Sequence, residues 1–173
     1  MTDTPRIHRL DVTVGGLSRS QLTSALSERG ILLNAHAETL LENAVFDSST
    51  AQMVTLTERA VAELGFTEGA SLSEILEAAQ QQNLLLCPAE TGPYLRLALT
   101  GQSTSADSVM SAGRAPEGSL TVASAPLSDD DEYPKGFYLR VVDGQAWLRG
   151  YRCDDEHIWS ADDRFLFRLP ELD

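Results

Sequence analysis

Asp143-Gly144 constrains this chain more tightly than any other step in its sequence. An Asp-Gly pair between alternating runs fits a two-residue type I′ turn, in which both central residues take positive φ. Such a turn fixes the register. Counting outward pairs Val142 with Gln145, Val141 with Ala146, Arg140 with Trp147, Leu139 with Leu148 and Tyr138 with Arg149. Because strand side chains alternate between faces, Phe137, Leu139, Val141, Ala146 and Leu148 share one apolar face. The other face carries Tyr138, Arg140, Trp147, Arg149 and Tyr151, aromatics interleaved with arginines. Arg140 over Trp147 and Arg149 beside Tyr138 are the expected cation–π contacts, each worth about 0.5–1 kcal/mol at an exposed site. Phe165 and Phe167, flanked by Arg164 and Arg168, predict a last strand of the same character.

Upstream, the signals are mostly helical. Ile7 to Val14 alternates in part and predicts a first strand, broken by Gly15 and Gly16. Ser18 then reads as an N-cap with Gln21 as its capping-box partner. Leu22, Ala25 and Leu26 fall on one helical face, and Gly30 is a natural stop. Ala35 to Ala44 is a second helix turning Ala37, Leu40 and Leu41 inward. Val54 to Leu64 begins as a strand, while Glu58 to Leu64 suits a short helix. Ser71 and Glu74 form a second capping box ahead of the stripe Leu72, Ile75, Leu76 and Ala79. The two capped units echo one another at a spacing of 53 residues, Gly16, Ser18 and Leu22 matching Gly69, Ser71 and Ile75.

Beyond Leu95 the texture changes. Leu95 to Leu99 and Leu120 to Ala123 read as strands. Residues 102–119, rich in Ser, Gly and Ala, read as a mobile segment with a weak strand near Val109, and residues 128–135 as a solvated acidic loop. The expected architecture is a single α+β domain over residues 1–173, with N-terminal helices packed against a mostly antiparallel C-terminal β-sheet.

Composition narrows the partners. The formal net charge is −13, a mostly repulsive field for nucleic acid or an anionic membrane. No apolar stretch reaches the length of a membrane span, and Met1 to Arg9 lacks the core of a signal peptide, so the expected location is the cytoplasm. Cys87 and Cys153 are too few to staple a secreted scaffold and are expected as thiols. Twelve arginines accompany a single lysine, and Arg140, Arg149, Arg152, Arg164 and Arg168 gather near the C-terminal end. Arginine's rigid fork of donors suits carboxylate or phosphate.

Residues with catalytic potential are few. Cys87-Pro88-Ala89-Glu90-Thr91-Gly92-Pro93 reads as a rigid turn, with Glu90 and Arg96 either pairing across it or facing a ligand. Cys87 follows an aliphatic run and reads as a core residue before a nucleophile. His8, His36 and His157 fit no metal-ligand spacing, and Asp154 to His157 reads as a solvated loop. Trp159 is expected to pack as a lid under a surface loop. Phosphate-loop, dinucleotide-binding and nucleophile-elbow signatures are missing from the sequence, and neither a metal nor a cofactor is expected.

Ala62-Glu63-Leu64-Gly65-Phe66, the segment Leu86 to Leu97, Gly136 to Arg140, Trp147 to Tyr151, and Ile158-Trp159 with Arg164 to Phe167 together resemble a family of small uncharacterised bacterial proteins over residues 54–168. The resemblance implies a bacterial source and brings no activity with it. Two readings follow from the residues. One is a non-enzymatic binding or regulatory module that engages an acidic protein, a peptide or a small anion through Tyr138, Arg140, Trp147, Arg149 and Tyr151. The other is an enzyme acting on a small anionic substrate, with Glu90 as acid or base, Arg96 as substrate clamp and Cys87 nearby. A homodimer through the aromatic face is compatible with both.

Overall fold

Strand pairing draws both halves of the chain into one sheet. The computed structural model describes residues 7–47, 50–99, 119–130, 132–154 and 156–170. Among these, β1 (Leu10–Val14), β2 (Leu32–Leu33), β3 (Gln52–Ala60), β4 (Leu120–Val122), β5 (Gly136–Val142), β6 (Gln145–Tyr151) and β7 (Arg164–Arg168) lie in the order β1-β3-β7-β4-β5-β6-β2. The β4–β7 and β2–β6 pairs are parallel, and the other four pairs are antiparallel. The hairpin register holds residue for residue, from Gly136 against Tyr151 to Val142 against Gln145. Asp143 and Gly144 supply φ of 51° and 77°, as a type I′ turn demands.

The helices are α1 (Arg19–Glu28), α2 (Ala35–Leu41), α3 (Leu72–Gln81) and α4 (Thr91–Ala98). Both expected capping boxes are made. Ser18 Oγ accepts from Gln21 N and Gln21 Oε1 from Ser18 N, and Ser71 and Glu74 repeat the exchange. The glycines before them turn the chain at matching angles, Gly16 at φ 96° and Gly69 at 94°. The two units then diverge. Leu32-Leu33 pairs in parallel with β6 at the sheet edge, whereas Leu85 bridges antiparallel to Arg168 beside the central strand.

Alternation along the strands divides the core in two. On one face Val12, Leu56, Leu139, Leu148 and Leu166 meet Leu22, Leu26, Leu40 and Leu95 from α1, α2 and α4. On the other, Phe165 and Phe167 meet Ile75 and Ala79 of α3, together with Leu64, Leu84 and Trp159. Trp159 is buried as expected, its ring edge-on to Tyr151, His157 and Phe165.

Three expectations are corrected. The helices are not confined to the N-terminal side of a C-terminal sheet. Strands β1, β2 and β3 come from the N-terminal part of the chain, up to Ala60, and α3 and α4 stand between β3 and β4. Leu95 to Leu99 is no strand, since Leu95 to Ala98 belongs to α4. Pro93 sits in the first helical turn, where its missing N–H costs nothing, and Thr91 N–H is taken by Pro88 O at 3.0 Å. Finally, β3 runs through Ala60, and only Val61–Leu64 forms a 3₁₀ turn. The expected mobile segment lies outside the described residues except for Ser119, as does Asp131 of the acidic loop. Among the described residues no helix is long and apolar enough to cross a membrane.

Candidate functional site

The hairpin delivers its five arginine and aromatic residues to one face, but not to one open surface. Arg140 is sealed from solvent at 0% exposure and Tyr138 is buried, while Trp147, Arg149 and Tyr151 are half-buried. Exposure therefore rises across the face from β5 to β6. Tyr151 is turned into the second core against Trp159. Burial pushes its hydroxyl well above the usual phenol range, so it stays protonated.

Arg149 is the organising residue. Its Nε donates to the Tyr138 hydroxyl at 2.7 Å, and its guanidinium lies 5.8 Å from the Tyr138 ring centroid and 5.1 Å from that of Trp147. The expected contact between Arg149 and Tyr138 is present, and Trp147 meets Arg149 along its own strand. Stacking and the hydroxyl orient the planar cation, and the residue as a whole is partly exposed. His36 of α2 lies within the field of Arg152 and Arg149. Burial first, then these two cations, lower its pKa, so the imidazole stays neutral beside the guanidinium groups. Arg152 reaches Glu132 at 2.6 Å with both side chains exposed, a contact that solvent screens strongly. Trp147, Arg149, Arg152 and His36 thus make a locally cationic, aromatic surface on a strongly acidic chain. His36 escaped sequence reasoning because its neighbours lie more than a hundred residues away.

The residues of the enzymatic reading occupy separate environments. Cys87 is buried, its Sγ donates to Leu166 O at 3.6 Å, and desolvation pushes the thiol up to about 12, against a weaker opposite pull from Arg168. A nucleophile needs thiolate, and this site withholds it. Arg96 is buried, with its fork directed at backbone carbonyls: Leu99 O at 2.9 Å, Trp147 O at 3.4 Å and Arg140 O at 3.5 Å. Burial lowers its pKa to about 10, which keeps it cationic at neutral pH. It ties the end of α4 to the hairpin. Glu90 stands half-buried at the opposite end of α4, and no ion pair joins it to Arg96. In the acidic loops Asp130 and Asp154 serve the local turns. Asp154 Oδ1 accepts from Glu156 N and His157 N, and Asp130 Oδ1 from Glu132 N.

Comparison of the chain with protein-family models, curated proteins and solved structures finds no match.

Proposed function

We propose that this chain is a non-enzymatic binding or regulatory module that recognises an acidic peptide, an acidic protein segment or a small anion at the outer end of its hairpin. The observation that carries this reading is Arg149, a partly exposed residue whose guanidinium is oriented beforehand by one hydroxyl and two aromatic rings. Pre-orientation lowers the ordering cost that an arginine otherwise meets when it grips a carboxylate. Arg152 and neutral His36 flank it, and Trp147 offers apolar area beside the charge. Arg140 belongs to the interior of this reading and not to its contact surface, because it is wholly buried.

The test is a fluorescence titration with a glutamate-rich decapeptide and with citrate, using a Trp159→Phe background so that Trp147 reports alone. Saturable binding by at least one probe, weakened tenfold or more by Arg149→Gln with an unchanged melting temperature, is the expected result. Absence of binding by both probes, or equal affinity in Arg149→Gln, rejects the reading.

A further inference from the structure

Strand β1 closes one end of the sheet and has a strand neighbour on one side only, β3. Leu169 N–H donates to Thr55 O at 2.8 Å, in the register of the β3–β7 ladder. Successive residues of an antiparallel strand send their backbone groups to opposite sides, so Thr55 serves β7 while Val54 and Leu56 serve β1. Glu58 N–H, which donates to Ile7 O at 2.8 Å, keeps the same parity. Val12 and Leu10 stand opposite Val54 and Leu56 and close that ladder. Asp11 and Thr13 therefore turn N–H and C=O outward, where no described residue pairs with them. A row of unpaired backbone groups is a template for another strand.

The side chains of β1 suit a copy of β1 itself. Val12 and Val14 share a core with Tyr94 and Leu95, so α4 covers that face of the strand. Asp11 and Thr13 are exposed on the other face. Asp11 Oδ1 accepts from Thr55 Oγ1 at 2.7 Å, its partner across the ladder. When two β1 strands pair antiparallel, Asp11 and Thr13 of both copies supply the hydrogen-bonded positions. Centring the pair on Asp11 sets carboxylate against carboxylate, which is destabilising. Centring it on Leu10 or on Thr13 puts Asp11 opposite a residue outside β1, Arg9 or Gly15. Centring it on Val12 sets each Asp11 opposite the second copy's Thr13. Thr13 then offers Asp11 the hydroxyl contact that Thr55 makes from β3, and Leu10 meets Val14 on the apolar face. Only this register uses all five residues of β1.

We infer that β1 is a self-association edge, through which two copies of the chain pair antiparallel about Val12 and join their sheets into one. This edge is separate from the hairpin surface and stands or falls independently of it. The net charge of −13 on each copy opposes their approach. The association therefore belongs to high protein concentration and to salt that screens the repulsion.

Sedimentation equilibrium of the full chain in moderate salt, from micromolar to millimolar concentration, should show a monomer–dimer equilibrium. Amide exchange read by NMR should slow at Asp11 and Thr13 as concentration rises, while Leu10 and Val12, bonded to β3, stay protected throughout. Thr13→Asp, at an exposed position, sets carboxylate against carboxylate and should weaken the dimer at least tenfold with an unchanged melting temperature. Asp11→Lys combined with Thr13→Asp places opposite charges across the same register and should restore it. Arg149→Gln should leave the dimer unchanged. A dimer indifferent to Thr13→Asp belongs to another face, and a monomer over the whole range leaves the edge to a different partner; either result overturns the proposal. So does exchange at Asp11 and Thr13 that ignores concentration, or a double variant that stays monomeric.

Discussion

Cys87 shows how one residue's environment sets both its chemistry and its contribution to stability. Its thiol ionises near 9.0 in an unfolded chain and only at about 12 in the fold, because desolvation penalises the thiolate. The folded pKa is raised, so the associated stability is fully present below pH 9 and is lost as pH climbs from about 9 towards about 12. Tyr151 and Tyr94 are raised in the same direction from 10.0, chiefly by burial, and extend the loss at higher pH. Urea midpoints measured from pH 8 to 11 should therefore fall, and Cys87→Ala should delay the onset of that fall by about one pH unit. Composition and the preceding aliphatic run marked Cys87 as a core residue, since burial of a small apolar side chain follows from its immediate neighbours. The opposite fates of Arg140 and Arg149 were not legible. Both occupy one face of one hairpin with similar neighbours, and only tertiary packing seals the first while leaving the second half-open.

Elements show the same division between local and distant causes. The hairpin register and both capped helices could be read directly, because turn dihedrals and caps are decided within a few residues. Helix α4 could not. Its Thr-Gly-Pro start imitates a turn, and its helical state depends on Tyr94 and Leu95 entering the core and Arg96 reaching the hairpin carbonyls. Asn34 joins three elements at once. After β2 ends, its Nδ2 donates to Gly150 O at 3.0 Å and its Oδ1 accepts from Gly150 N at 2.8 Å, continuing the sheet pattern with a side chain. The same Oδ1 caps α2 by accepting from Ala37 N at 2.8 Å. Gly150 is required opposite, because a Cβ there would lie 2.7 Å from the His36 carbonyl carbon. Asn34→Ala removes the cap and both sheet-like bonds, and should cost about 2–4 kcal/mol in urea denaturation. Amide exchange should accelerate first at Ala37 and Gly150.

At the scale of the whole molecule, the class was readable and the topology was not. Capped helices and a tight hairpin announce α+β, whereas no local signal says that the last strand belongs at the centre. Strand β7 lies between β3 and β4, and Phe165, Leu166 and Phe167 are each fully buried, the phenylalanines in one core and the leucine in the other. A chain ended after Asp163 should show no cooperative thermal transition by circular dichroism. A sharp transition near that of the full chain would mean that the two cores can close without β7. The same placement governs how the protein meets its cell. A ribosome delivers residues in order at roughly 5–20 per second, so the residues of β1 to β6 are all made before the strand that unites them. For that interval the flanks of β3 and β4 are open to pairing with any extended neighbour. Until β7 has been made, two strands that it pairs with in the finished sheet lack that partner, and the two cores it feeds lack their phenylalanines and leucine.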